Sequence, residues 1–356
     1  MVTIGVDAHK QGHAAVALDD AGQALGHWRG PNSREGWATL HTWAAELGAP
    51  RQWGIEGAWN YGRGLAQHLV DAGEVVYEVN PRWTAEGRRS ARRPGKSDAL
   101  DAQAVARLVL REATTLPRVG ADDETAVLEL RTTERAGAVA EATRLRTQRH
   151  QLLLQGAPEY RAPLPALRTR AGVATREQYP APGPRLLDGE RAAAVRRLAQ
   201  RLRLALEQAD DLAEQIRRRA QARFALLTGL CGVSLLTAGA LAGILGPGRR
   251  FRTDAQLAAA AGVAPLEASA AGRVRHRLNR GGNRRLNAIL HRIAIAQARS
   301  SPAARAYLAR REAEGRTRRE AIRALKRFLV RALWRLWQDC ASEAPAPPAN
   351  FSSAAA

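Results

Sequence analysis

Cysteine is scarce in this chain: Cys231 and Cys340 are the two among 356 residues. One distant pair gives no disulfide framework and no metal-ligand spacing, so a reducing interior is the natural setting and the cytoplasm is the expected compartment. The layout of a secretory leader is also missing, because MVTIGVDAHKQ runs straight into a strand-like segment. One uncharged run, residues 225–245, is long enough to span a bilayer. Four glycines and the GLCG turn signal interrupt it, and much of the rest is Ala, Thr and Ser, so no membrane segment is expected. Negative charge is in short supply as well: Lys plus Arg total 55 against 34 Asp plus Glu, a formal net charge of +21. Nearly all of these cations are arginine, whose planar fork suits bidentate contact with phosphate. Coding bias would account for Arg over Lys, but not easily for the net excess, and nucleic acid is the leading partner. The composition is 45% apolar, enough to fill ordinary cores, and the length allows two or three domains.

The pattern along the chain changes character twice. Residues 2–7, VTIGVD, then 13–18, HAAVAL, and 23–28, QALGHW, read as a three-strand meander, with DDAG as a turn. Ser33 is placed to cap a helix running to about Leu47, residues 52–56 read as a buried strand, 60–72 as a helix and 74–79 as a fifth strand. Hairpin-joined strands followed by alternating helices and strands give the order of a ribonuclease-H-like α/β fold. Residues 122–155 then lose strand character and become helical, with Leu145 and Leu152 one heptad apart. In a second helical stretch Val195, Leu198, Leu202, Ala205, Ala209, Leu212 and Ile216 alternate spacings of three and four, the seam of a coiled coil or helical hairpin. A proline-rich loop lies between the two, so two antiparallel helices with an irregular tip are expected. Such an arm either dimerises subunits or spaces the end domains, and dimerisation is the favoured reading. The expected division is a catalytic domain over 1–118, a coiled-coil arm over 119–223, an all-helical domain over 224–340 and a disordered tail over 341–356.

Against this basic background four acids stand out. Asp7 ends the first strand and Glu56 ends the fourth, just before a glycine, and in such sheets these strands are neighbours. Asp98 and Asp101, in GKSDALDAQAVARL, sit three apart at a helix start that Ser97 is placed to cap, and so share a helical face. Clustered carboxylates repel one another and are costly to desolvate, so a buried group of them needs countercharge. Hard oxygen ligands suit Mg²⁺ or Mn²⁺, which in pairs stabilise the attacking and leaving oxygens of phosphoryl transfer. Asp98 taken alone is also explained as a helix-dipole complement; the joint placement is the more specific signal.

Two basic segments flank the chemistry. Arg88, Arg89, Arg92, Arg93 and Lys96 precede the Asp98 helix and offer countercharge to a nucleic-acid backbone. From Arg273 to Arg335 there are 19 Lys or Arg against three Glu. Within that stretch Arg273, Arg275, Arg277, Arg280, Arg284 and Arg285, with Asn283, surround the Gly281-Gly282 break before an amphipathic helix. Residues 227–241, LTGLCGVSLLTAGAL, resemble a helix-hairpin-helix element, in which backbone N–H groups approach a phosphate; a plain buried helical hairpin fits equally.

VTIGVDAHK, GIEG, GKSDALDAQAVARL, LTGLCGVSLLTAGALAGIL, GVAPLEASAAG and NRGGNRRLNAIL together resemble the DEDD-type insertion-sequence transposases, the bridge-RNA-guided recombinases related to Piv-type DNA invertases. The resemblance covers nearly the whole chain apart from residues 156–190 and the tail. It implies a RuvC-like N-terminal domain, a metal-binding tetrad of Asp7, Glu56, Asp98 and Asp101, and a helical transposase domain whose serine nucleophile falls, by position, on Ser269. The family pattern of paired serines before glycine is here Ser269-Ala270-Ala271-Gly272. The resemblance further implies a homo-oligomer, dimer or tetramer, and a structured guide RNA that pairs with donor and target DNA. Rival readings are a Piv-like invertase, a metal-only junction-resolving nuclease, and an inactive nucleic-acid-binding relative.

Overall fold

The computed structural model describes residues 1–81, 83–84, 97–155, 172–173, 178, 180, 183–248, 250–267, 276–277, 279 and 281–342. It forms two compact units. One contains Met1–Thr125, Leu226–Val233 and the described part of Ile244–Ala356; the other contains the described part of Ala126–Ala225 together with Ser234–Gly243.

The first unit opens with β1 (Val2–Ala8), β2 (Gly12–Leu18), β3 (Ala24–Pro31), α1 (Arg34–Glu46), β4 (Arg51–Glu56), α2 (Arg63–Asp71), β5 (Val75–Val79) and α3 (Asp98–Glu112). The strands lie in the order β3-β2-β1-β4-β5. β1, β2 and β3 pair antiparallel, and β4 and β5 add parallel to β1. That is the ribonuclease-H-like arrangement expected from the meander and the helix–strand alternation. Period-two alternation sorts the two faces of the sheet. Val2, Ile4, Val6, Ala15, Ala17, Trp53 and Ile55 form one buried core with Leu40 and Ala44 of α1 and Leu65 and Leu69 of α2. The opposite face meets α3, where Val16 and Leu18 cluster with Ala102 and Ala106, and Val79 with Val105 and Val109. The serine caps form as expected: the Ser33 hydroxyl accepts from the Gly36 amide and Ser97 from the Leu100 amide.

A half-buried polar node holds the far edge of this sheet. The Glu74 carboxylate accepts from the Trp53 indole at 2.9 Å, from Arg51 Nε at 3.0 Å and from Arg51 Nη2, and lies 3.0 Å from His41 Nε2. Burial pushes the Glu74 carboxyl up, but the bonds from Arg51, Trp53 and His41 outweigh it and hold the group below its ordinary value of 4.5. A depressed carboxylate contributes stability that is complete above the ordinary value and is lost as the pH falls through the folded one. Glu74→Gln is therefore expected to lower stability by about 1.5 kcal/mol at neutral pH, since charge-assisted hydrogen bonds in a half-buried site are weakened. The gap from the wild type, read by urea unfolding, should close as the pH is taken below 4.5.

The second unit is built on α4 (Glu124–Leu154) and α5 (Leu186–Arg223). Glu141 pairs with Arg201 at 3.2 Å and Glu134 with Gln208 at 3.3 Å, so the two helices run antiparallel. Leu145 clusters with Leu202 and Ala205, and Leu153 with Ala192 and Val195. The α5 seam read from the spacing is buried at Val195, Leu202, Ala205, Ala209, Leu212 and Ile216, with Leu198 partly covered. Most of α6 (Leu235–Leu245) belongs to this unit and accounts for the second half of the uncharged run. A Cβ added at Gly239 would stand 2.5 Å from Ile216 Cγ2, and one at Gly243 2.6 Å from the Glu129 amide nitrogen. The small residues of that run let helix pack on helix. No described helix is long and apolar enough to cross a membrane. The first limb of the suspected helix-hairpin-helix is a short 3₁₀ turn, Ala225–Gly229, and Gly232 at φ 91° turns the chain into α6.

The remaining elements are α7 (Asp254–Ala260), a two-residue ladder of β6 (Leu266–Glu267) with β7 (His276–Arg277), α8 (Arg284–Ser300), α9 (Pro302–Ala313) and α10 (Arg318–Ser342). They belong to the first unit, where Arg250 ties them to the sheet. Its guanidinium reaches Glu78 of β5 at 2.6 Å, donates to the Ile244 carbonyl at 2.8 Å and lies 4.8 Å from the Trp59 ring centroid.

Candidate metal centre

β1 and β4 are in parallel register with Asp7 opposite Glu56. Two residues earlier the same register sets Gly5 opposite Gly54, and alternation puts all four positions on the face that meets α3. There the absence of side chains governs the geometry. A Cβ at Gly5 would stand 2.2 Å from the Ala102 carbonyl oxygen and 2.2 Å from the Ala106 nitrogen, and one at Gly54 would stand 2.3 Å from Val109 Cγ2. The helix backbone thus rests directly on the strand, and its first turn, with Asp98 and Asp101, overhangs the strand ends. Gly57, at φ 70°, takes the chain away from Glu56 in the left-handed region.

Asp7 and Asp101 are buried, while Asp98 and Glu56 are partly exposed. His9 Nε2 lies 3.0 Å from Asp7 Oδ2 and 3.7 Å from Asp98 Oδ1. One ligand atom from each of Asp7, His9 and Asp98 falls within 4.8 Å of the others, a spacing that fits a common cation. Arg29 Nη2 stands 3.1 Å from Asp98 Oδ2. The hydroxyl of the buried Thr84 donates to Glu56 Oε2 at 2.9 Å. Burial pushes the Asp7 carboxyl above its ordinary range; His9 pulls the other way, and the charges of Asp101 and Asp98 add to the push.

Of the residues read from the sequence, Asp7 and Glu56 meet through strand register, Asp98 joins Asp7 around His9, and Asp101 couples to Asp7 by charge. Ser269, Arg88, Arg89, Arg92, Arg93, Lys96, Arg273, Arg275 and Arg280 lie outside the described residues. Arg277 is in β7. Asn283 caps α8, its side chain accepting from the Leu286 amide, and Arg284 and Arg285 are exposed in the first turn. His9, Arg29 and Thr84 were not singled out from the sequence. His9 had a signal, since two residues beyond Asp7 is again the same face of an extended chain. Arg29 and Thr84 had none, because each reaches the centre from a separate element.

Two family models match the chain: one described as a transposase, of the DEDD type in IS110 elements, over residues 4–158, and one described as the transposase IS116/IS110/IS902 family over residues 224–309. Among curated proteins, the chain is similar to the insertion element IS900 uncharacterized 42 kDa protein of Mycobacterium paratuberculosis, 27% identical with 97% of this chain and 98% of that protein covered. It is likewise 27% identical to the insertion element IS116 uncharacterized 44.8 kDa protein of Streptomyces clavuligerus, covering 98% of this chain and 97% of that one. Among solved structures, Thermus thermophilus RuvC in complex with a Holliday junction substrate aligns with 33% of this chain and 99% of its own, at 16% identity and TM-score 0.27.

Proposed function

The chain belongs to the IS116/IS110/IS902 transposase family, and from that premise we propose that it cuts and rejoins DNA by metal-dependent phosphoryl transfer, with Ser269 as the nucleophile. The observation that carries the reading is the register of Asp7 opposite Glu56 with the acidic first turn of α3 laid over the same face.

The donor set fits a hard divalent cation. Carboxylates predominate, and Asp7, buried beside two further acids, is held above its ordinary pKa range despite His9, so a cation there would relieve the burial and the repulsion. Asp7, Glu56, Asp98 and Asp101 would hold Mg²⁺ or Mn²⁺. When bound, the metal supplies Lewis-acid stabilisation of charge on the phosphate oxygens. The residues do the rest. Thr84 orients Glu56 through its hydroxyl, and His9, hydrogen-bonded to Asp7, fixes the direction of that carboxylate. Arg29 balances Asp98 until a ligand arrives. In the proposed step the Ser269 oxygen forms a bond to phosphorus as a phosphorus–oxygen bond to one deoxyribose breaks. The serine gives up its proton, and the departing deoxyribose oxygen takes one up. Attack by another strand's hydroxyl then reverses the step and joins the strands, so no energy source is required.

Arg88, Arg89, Arg92, Arg93, Lys96, Arg273, Arg275, Arg277, Arg280, Asn283, Arg284 and Arg285 are proposed as nucleic-acid contacts. A structured guide RNA, a homo-oligomer formed through the α4–α5 arm, a cytoplasmic setting and the division into domains 1–118, 119–223 and 224–340 belong to the same proposal. Ser269→Ala tests its centre. With Mg²⁺ and DNA carrying the element ends, the wild type should yield a protein–DNA adduct stable to denaturant, and the variant should yield neither adduct nor joined strands. Continued cutting by the variant would instead identify a nuclease in which water attacks.

A further inference from the structure

Away from the acidic centre, the first unit contains a cavity of about 620 Å³ between α8 and α10. Arg284, Asn287, Ala288 and His291 line it from α8, and Arg319, Ile322, Arg323 and Lys326 from α10. Each set has the spacing i, i+3, i+4, i+7, so each is one continuous stripe of its helix. Four of the lining side chains are Lys or Arg, one is His, and no carboxylate is among them. Among the described residues, Arg284, Arg319 and Arg323 make no ion pair, although Arg318 and Arg327 next to this stripe are paired with Glu312 and Asp254. Glu320, one turn from Arg323 on α10, feels its charge but is not among the lining residues, so positive charge is concentrated in the recess itself.

Lys326 makes the recess a built site. It is 7% exposed, and its ammonium donates to Asn287 Oδ1 at 2.8 Å. Asn287 cannot turn to offer anything else, because its amide nitrogen donates to the Ala261 carbonyl at 2.8 Å and the Gly262 carbonyl at 3.3 Å. An ammonium carries three donors, which leaves two beyond Asn287. Among the described residues no carboxylate pairs with it. Lys326 is also one of only three lysines in this arginine-rich chain, with Lys10 and Lys96. A compact ammonium fits the floor of a cavity where a planar fork would not. Burial lowers its proton affinity, as does Arg323, so an anion in the cavity would be stabilised and would stabilise it.

We propose that this groove seats backbone phosphates of a nucleic-acid strand, with Lys326 at its floor and Arg284, Arg319 and Arg323 at its rim. The proposal deepens the transposase reading and rests on it for the kind of anion. Ile322 and Ala288 supply apolar wall for the sugars flanking a phosphodiester. Phosphate contacts of this kind position a strand without reading its sequence.

The test measures binding of the full chain, in EDTA, to a fluorescent duplex DNA of about 20 base pairs and to an RNA stem of equal length, across a salt series. Arg319→Ala/Arg323→Ala changes exposed positions only, and Lys326→Met keeps the buried stem. Each lost phosphate contact should make the slope of log K against log salt shallower by about one unit, with about a tenfold loss of affinity for the double variant. The nucleic acid whose slope changes identifies the strand that the groove holds. Arg310→Ala/Arg311→Ala removes equal charge from side chains engaged with Glu314 and should leave the slope within about half a unit. Unchanged slopes on both nucleic acids, or an equal change in that control, would overturn the groove. A wild type that fails to cut in Mg²⁺ while the slopes shift would overturn the catalytic reading alone.

Discussion

Asp7→Asn is expected to lower DNA strand cleavage by on the order of 10³-fold or more. The substitution preserves size and one carbonyl oxygen but removes the charge from the most enclosed part of the centre, where bulk water cannot replace a ligand. Glu56→Gln should follow it, since Glu56 occupies the facing register position. Stability supplies an independent readout with the opposite sign. A carboxyl whose folded pKa is raised costs stability once the pH exceeds its ordinary value of 3.8, and the whole cost is present above the folded value. Without metal at neutral pH, the wild type bears that cost and the asparagine variant does not. The variant should therefore melt at the same temperature as the wild type or slightly higher in EDTA. Adding Mn²⁺ should raise the melting temperature of the wild type and leave that of the variant in place. Cleavage within about tenfold of wild type, with the Mn²⁺ shift retained, would remove Asp7 from the chemistry.

The strands, their order and the two serine caps were legible because each is written in local pattern: alternation for the sheet, a hydroxyl three residues ahead of a free amide for the helices. The seam of α5 was legible for the same reason, as spacings of three and four. What was not legible depends on contacts between distant elements. Gly5 and Gly54 carry no signal in the strand pattern, and register alone sets them opposite each other beneath α3. The uncharged run over 225–245 gave no sign of which helices would bury it, and only Gly239 and Gly243 against α5 and α4 explain its small residues. Arg29 meets Asp98, and Thr84 meets Glu56, across gaps that no periodicity spans. The cationic groove needs α8 and α10 side by side, although each stripe alone reads as an ordinary solvated face.

The pair of glycines beneath α3 makes the second large prediction. Gly5→Val should reduce cleavage by at least about 100-fold and destabilise the fold by about 3 kcal/mol. The added Cβ meets helix backbone, the Ala102 carbonyl oxygen and the Ala106 nitrogen, each at 2.2 Å, so no rotamer change relieves the clash. The helix must lift, and Asp98, one turn ahead of Ala102, and Asp101, the residue before it, must lift with it, away from Asp7. Misplacement by about 1 Å is enough to cost two orders of magnitude in a preorganised site. Gly54→Ala offers the graded comparison, because the nearest atom there, 2.3 Å away, is a side-chain methyl of Val109. A methyl can yield where backbone cannot, so the Gly54 variant should retain more activity than Gly5→Ala. Gly137→Ala, at an exposed position of α4 with nothing within 4 Å of the new Cβ, controls for the loss of a glycine and should stabilise by about 1 kcal/mol. Thermal melting and cleavage measured together decide the matter. A Gly5→Val chain that keeps both at wild-type level would show that α3 does not need its seat on β1 to bring the acids together.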